Sequence, residues 1–211
     1  MLAGAGPLSL MGIDPSGAYL AAAAARLDDR RVTFRIGEAA ALPLPDSGVD
    51  QVICGLVLNF VPDPAAAVAE MRRVLVSGGR ATAYVWDYTD GMQMLLRFWD
   101  AAVHEDPSAT SLDERTRFPI CQTDNLQHCF ADAGLDELEA RPVEVPMIFR
   151  DFDDYWAPFL GGQGPAPTYL AARPEVSRDR LRARLQASLP AEPDGTIRLS
   201  ARAWAVHGMS N

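Results

Sequence analysis

Asp14 follows the short apolar run Leu8–Ile13 and precedes Pro15-Ser16. In a wound parallel sheet, ligands sit at the carboxyl ends of the strands. A carboxylate there can accept hydrogen bonds from the paired hydroxyls of a ribose. The competing role for an Asp before Pro is a turn that caps the following helix. Further along, the alternating, β-branched stretch Val32–Ile36 leads into Gly37-Glu38-Ala39. A small residue and a carboxylate at a second strand end suit a purine, one against its flat face and the other beside its exocyclic amine. The next segment, Ala41-Leu42-Pro43-Leu44-Pro45-Asp46, is held extended by its prolines.

These residues need a frame that places their strand ends side by side, and the hydropathy pattern supplies one. Leu8–Ile13 reads as a strand and the alanine-rich Gly17–Leu27 as a helix. Val32–Ile36 and Gln51–Gly55 read as strands. Asp63-Pro64 starts a helix, with Asp63 as N-cap and Pro64 in the first helical position. Val68, Met71, Val74 and Leu75 fall on one face of it, and Ser77-Gly78-Gly79 stops it. Arg80–Trp86 is the next strand. Strands and helices alternating at this spacing predict a parallel sheet wound by helices.

The remainder is less regular. Gly91–His104 and Thr123–Ala133 predict helices, the second closed by Gly134. Val143–Phe149 predicts a strand that Pro146 moves towards an edge or a bulge. Asp151–Leu160 predicts an aromatic-rich helical cap, followed by a turn-rich Gly161–Pro167. Arg178–Leu189 predicts a helix, and a turn at Asp194-Gly195 leads to a final strand, Thr196–Val206. The whole reads as one domain, 1–211, with cap segments at about 91–117 and 151–189.

Composition narrows the function. With 19 Lys and Arg against 28 Asp and Glu, the formal charge is −9, the wrong sign for a nucleic-acid backbone. The basic stretch Arg178–Arg184 carries Leu181 and Leu185 at helical spacing, as a solvated face of an amphipathic helix does. Cys54, Cys121 and Cys129 form no paired framework, which predicts reduced thiols and a cytoplasmic location. The uncharged run Gln51–Pro62 is too short for a membrane span. His104, His128 and His207 are scattered without zinc spacing, so no metal site is expected.

Taken in order, GIDPS, GEAAALPLPDSGVDQVICGLVLNFVPDP and EMRRVLVSGGRATAYVWDY resemble the successive motifs of class I S-adenosylmethionine-dependent methyltransferases. The resemblance is strongest to the small-molecule group that includes the ubiquinone and menaquinone methylases. It is dense from about Met11 to Tyr88, and DGTIRLSARAWAVHG resembles the family's last strand. It implies a Rossmann-like α/β sheet with helices on both faces and S-adenosylmethionine as cofactor. It further implies that Asp14 binds the ribose hydroxyls, that Glu38 and Ala39 flank the adenine, and that Gly55 and Leu56 lie beside the methionine part. Asn59 falls where such enzymes often turn a polar side chain to the reacting centre. Trp86-Asp87-Tyr88 would face a small-molecule acceptor. If that acceptor must lose a proton, Asp87 is the first candidate base and Tyr88 the second. The alternative for Asp87 is to cap the following helix. Trp86, Trp99, Tyr155, Trp156 and Phe159 could line an aromatic acceptor pocket or pack a core, and DYWAPFLGGQG suits a mobile lid.

The family places a strand and a glycine-rich turn ahead of the strand that ends in the acidic residue, and this sequence opens almost at the latter. Gly4-Ala5-Gly6 lies too close to Asp14 to stand in for that turn. The expectation is therefore a sheet without its first strand. The space between the strands ending at Asp14 and Gly55 would be about 10 Å. Either those strands close on each other, or their backbone groups stay unpaired. The sequence is then a misassigned or partial form of an active methyltransferase, or a non-catalytic remnant that binds a nucleoside or a protein partner. A dinucleotide oxidoreductase on the same kind of sheet is a further alternative, against which the prolyl loop and the Trp86-Asp87 strand end weigh.

Overall fold

Residues 6–161 and 164–211 are described by the computed structural model. Gly4-Ala5 and the Gly162-Gln163 part of the lid stretch lie outside them. Strand β1, Leu10–Asp14, pairs in parallel with β2, Val32–Ile36, in a register running from Leu10 opposite Val32 to Asp14 opposite Ile36. Helix α1, Gly17–Arg26, crosses between them. Its N-cap is Ser16, whose Oγ accepts the Tyr19 amide at 3.3 Å. Propensity rather than packing holds this helix, because none of its residues is buried.

Strand β3, Val49–Gly55, is joined to its neighbour β4, Leu75–Trp86, by helix α2, Pro64–Val74. Asp63 caps α2 through the Ala66 amide at 2.9 Å, and Val68, Met71 and Val74 are buried as the periodicity predicts. Ser77-Gly78-Gly79 does not stop the helix. The helix ends at Val74, and these residues lie within the span of β4. Gly78 takes φ +77°, while a Cβ on Gly79 would come within 2.9 Å of the Val76 carbonyl and 3.1 Å of the Asp50 carbonyl. The glycines thus permit a tight bend early in the strand.

The remaining elements are helices α3 (Gln93–Glu105), α4 (Glu114–Arg117) and α5 (Thr123–Asp132), strand β5 (Leu135–Phe149), helices α6 (Phe152–Trp156), α7 (Pro165–Ala171) and α8 (Glu175–Ser188), and strand β6 (Ile197–Ser210). Gly134 follows α5 at φ +79° and Gly195 makes the turn before β6 at φ +88°. Strand β5 starts eight residues earlier than the pattern around Val143 predicts, and it is an edge strand. That position tolerates Pro142 and Pro146, which have no amide to donate. Pro165 and Pro167 do not make a loop: Pro165 opens α7, where its fixed φ suits the first turn.

The strands fall into two sheets, β1-β2 and β3-β4-β6-β5. Among the described residues no strand pairs with the free edges of β1 or β3. Of the two outcomes that the strand spacing allows, the structure has the unpaired one. This is a mixed α/β fold, in which α1 links β1 to β2 and α2 links β3 to β4, while a loop joins β2 to β3.

Two compact units can be distinguished within the chain. The first comprises 1–82, 128–138 and 207–211; the second comprises 83–127 and 139–206. The predicted cap segments belong to the second unit and share a core that includes Phe98, Trp99, Tyr155, Trp156, Phe159 and Leu185. Phe98 and Phe159 stack at 4.5 Å between centroids, and the Tyr155 hydroxyl donates to the Met94 carbonyl at 2.9 Å. Trp99, Tyr155, Trp156 and Phe159 are therefore packing residues rather than the walls of an aromatic pocket, while Trp86 is half-buried. The arginines of α8 are not merely solvated: Arg182 pairs with Asp153 and lies over the Phe152 ring, and Arg184 pairs with Glu105. Among the described residues no helix is long and apolar enough to cross a membrane.

Candidate active site

The first unit holds six of the eight residues singled out in the sequence. Asp14 ends β1, half-buried, and its Oδ1 accepts the Ser16 amide at 2.7 Å. It therefore makes the local turn that its place before Pro15 predicts, while Oδ2 remains for another donor. Asp14 lies opposite Ile36, so Glu38 and Ala39 start from the neighbouring strand end. Glu38 is exposed and Ala39 half-buried; the Glu38 carbonyl accepts the Ala41 amide at 3.1 Å in a tight turn. Gly37 has to be glycine, since a Cβ there would stand 2.7 Å from Pro43 Cδ and 3.0 Å from Ile13 Cγ2.

Two residues that sequence reasoning passed over fix the prolyl loop. Arg73 of α2 donates to the Leu42 and Leu44 carbonyls and pairs with Asp46 at 2.6 Å. Glu70, one helical turn away, holds Arg73 at 2.6 Å and accepts the Leu42 amide at 2.8 Å. The i, i+3 spacing of Glu70 and Arg73 is the only signal of this clamp in the sequence.

After β3 the backbone is strained. Gly55 is half-buried, and Leu56 takes φ +57°, a region that an L side chain enters at a cost of about 1 kcal/mol. A 3-10 turn, Leu58–Phe60, follows and buries Asn59, whose Nδ2 has no hydrogen-bond partner among the described residues. A buried amide donor left unpaired costs about 1–3 kcal/mol.

In the second unit, Asp87 directly follows β4 with its carboxylate fully engaged. Oδ1 accepts the amides of Thr89 at 2.9 Å and Asp90 at 3.3 Å. Oδ2 accepts Arg202 Nε at 2.7 Å and Trp204 Nε1 at 3.2 Å. Burial alone would raise the pKa of this carboxyl, but Arg202 and the turn amides outweigh it and hold the group below its ordinary range. A carboxylate this well satisfied is an anchor rather than a proton acceptor. Nor does it cap a helix: α3 has Met92 as its N-cap, and Asp87 closes the turn before it. Tyr88 is buried beside the Phe118 ring. Burial first, then Glu114 and Cys121, push its hydroxyl well above the ordinary tyrosine range, which removes it as a base. Neither residue suits the proton-accepting role that the resemblance implies for it.

The anchored Asp87 borders a cavity of about 370 Å³ whose walls include Thr89, Cys121, Thr123, Arg202 and Trp204. The Cys121 thiol is pushed up to about 12 by burial and then by Asp87, so it is no nucleophile at neutral pH. Among the described residues no three His, Cys, Asp or Glu side chains form a group that could hold a metal ion.

Comparison with known proteins places the sequence. Residues 1–83 match the family model described as a methyltransferase domain. A demethylmenaquinone methyltransferase of Roseiflexus castenholzii is 32% identical over 147 residues, covering 63% of this chain and 60% of its own. A ubiquinone/menaquinone biosynthesis C-methyltransferase of Methylobacterium nodulans is 37% identical over 92 residues, 42% of this chain and 36% of its own. The chain thus spans between 19% and 60% of the length of the curated relatives it matches. The crystal structure of a putative methyltransferase from Bacillus halodurans aligns over 95% of this chain and 82% of its own, with a TM-score of 0.61 at 15% identity. The YcgJ protein of Bacillus subtilis aligns over 97% and 83%, with a TM-score of 0.60 at 18% identity. Those structures share the fold. Residues 1–83 thus match a methyltransferase domain family, and the chain is distantly similar to ubiquinone and menaquinone methyltransferases.

Proposed function

We propose that this protein transfers a methyl group from S-adenosylmethionine to a small-molecule acceptor. Asp14, Glu38, Ala39, Gly55, Leu56 and Asn59 hold the cofactor. The observation that carries this reading is the turn after β3, where a left-handed Leu56 is followed by the buried Asn59, whose Nδ2 lacks a partner among the described residues. Strain and an unpaired donor persist together where a ligand compensates for them. The donor calls for an acceptor atom such as a carboxylate oxygen, which the methionine part of the cofactor carries. Asp14 supports the same reading, since Oδ2 can accept from a ribose hydroxyl while Oδ1 is fixed by Ser16.

The cofactor supplies an already activated methyl group on sulfonium, so the chain's task is positioning and exclusion of water. Asp14 orients the ribose, Gly37 and the Arg73-clamped loop set where Glu38 and Ala39 stand, and Asn59 donates to the amino-acid end. Asp87 takes no proton in this scheme. It keeps the end of β4 rigid.

The test is calorimetric titration with S-adenosylhomocysteine, alongside transfer of a labelled methyl group to a panel of small acceptors. Asp14→Ala should weaken binding at least about tenfold, the loss of one or two hydrogen bonds to a hydroxyl pair. An unchanged dissociation constant takes Asp14 out of the site. No heat at millimolar ligand would leave a non-catalytic protein.

A further inference from the structure

Glu114 is a carboxyl that none of the proposed chemistry uses, and it is only 2% exposed. It sits on the short helix α4 and accepts the indole N–H of Trp99, a core residue of α3. The stretch that carries it, Asp106–Cys121, is built of three short helical pieces. Ion pairs tie this stretch down at its rim, Asp106 to Arg173 at 3.0 Å and Arg115 to Asp100 at 2.9 Å. Inside, Glu114 meets Trp99 and Phe118 packs on Tyr88. At its end, Cys121 forms part of the wall of the 370 Å³ cavity that Asp87 borders.

We propose that Glu114 is a proton-operated latch: while neutral it holds Asp106–Cys121 against α3, and on losing its proton it frees that stretch and reshapes the cavity that Cys121 lines. The physical basis is the cost of a buried charge with too few partners. The Glu114 backbone amide and the Trp99 indole are the donors it has, and together they do not offset burial. The charged groups that face Glu114 are Asp113 and Arg117 on its own stretch, of which the first repels a carboxylate and the second attracts it. Across from it lies Tyr88, and Cys121 in turn faces Tyr88 and Asp87. Arg115, the nearest cation in sequence, is engaged by Asp113 and Asp100. Burial is the largest influence and places the Glu114 pKa at about 7, so the latch would operate within the physiological range.

Hydrogen exchange of the full-length chain tests this, with rates corrected for intrinsic chemistry and read at about pH 5.5 and about pH 8.5. Protection of residues 106–121 should fall at least about tenfold at the higher pH, in contrast to α8. In Glu114→Gln the amide keeps an acceptor for Trp99 and cannot ionise, so protection should change less than about twofold. His104 on α3 is retained in that variant, which separates the two groups. Equal protection of the wild type at both pH values overturns the proposal, as does a loss in Glu114→Gln that equals the wild type's. Should Glu114→Gln fail to fold, Trp99→Phe serves instead. It deletes the donor that favours the carboxylate and should move the midpoint up by about half a pH unit or more. An unmoved midpoint counts against the latch.

Discussion

Replacing Asp87 separates an anchor from a base. Its side chain is 3% exposed and accepts from Thr89, Asp90, Arg202 and Trp204. Asp87→Ala leaves two turn amides, one indole and part of a guanidinium without their acceptor. Breaking a buried pair by deleting one partner costs about 3–5 kcal/mol. Arg202 keeps Asp90 and Glu144 as partners, which puts the expected loss at the lower end, about 3 kcal/mol. Asp87→Asn retains an oxygen for Thr89 and Asp90 but gives up the charge opposite Arg202, at about 1–2 kcal/mol. Urea unfolding followed by circular dichroism resolves both, because a slope of about 2 kcal/mol per molar turns a 3 kcal/mol loss into a midpoint drop of roughly 1.5 M. The folded pKa lies below the ordinary 3.8. This stability is therefore present above that value and is lost as the pH falls through the lowered one. The variants should accordingly lose their difference from the wild type in strong acid. If Asp87→Asn unfolds at the wild-type midpoint yet methyl transfer disappears, the carboxylate is a base and the anchoring role is wrong.

Four further outcomes are expected. Glu114 has an ordinary value of 4.5 and a folded value of about 7, so its share of stability, about 3 kcal/mol, is whole below 4.5 and gone above 7. Glu114→Gln should flatten that part of the stability profile and exceed the wild type by about 1–3 kcal/mol near pH 8 in urea titrations. Arg73→Ala should cost about 1–2 kcal/mol and raise proteolytic nicking within 41–48, since it frees the Leu42 and Leu44 carbonyls. Gly37→Ala should cost about 1–3 kcal/mol by driving a methyl group into Pro43, and should weaken S-adenosylhomocysteine binding in calorimetry. Asn59→Leu, filling the same space without the unpaired donor, should stabilise the free protein while weakening binding of the same ligand; tighter binding would place Asn59 outside the site.

Local rules made much of this fold legible. Ser16 and Asp63 are good N-caps followed by helix formers, and β2 runs over the predicted Val32–Ile36. Misreadings arose where tertiary context outweighs a local signal. Ser77-Gly78-Gly79 looks like a helix stop, but the helix had already given way to strand at Leu75. Pro165 and Pro167 look like loop residues, yet proline suits the first turn of a helix whose other side packs on the core. The site divides in the same way. The places of Asp14 and Glu38 at or just past strand ends are legible because strand ends follow from hydropathy period. The role of Asp87 is not, because Arg202, its decisive partner, is 115 residues away in sequence. Glu114 is hidden by its neighbours: a segment reading DERTR looks solvent-exposed, and only the fold buries both of its carboxyls and turns Glu114 to Trp99.

Pro142 and Pro146 have an effect beyond the fold they belong to. Strand β5 carries half-exposed or exposed Val143, Val145 and Ile148, the β-branched composition on which fibrils template. Each proline deletes a donor and introduces a ring that a docking chain would meet, so another molecule cannot zip continuously along this border. Because residues 141–146 are exposed on both faces of the strand, these missing donors are the obstacle that this stretch offers to strand addition.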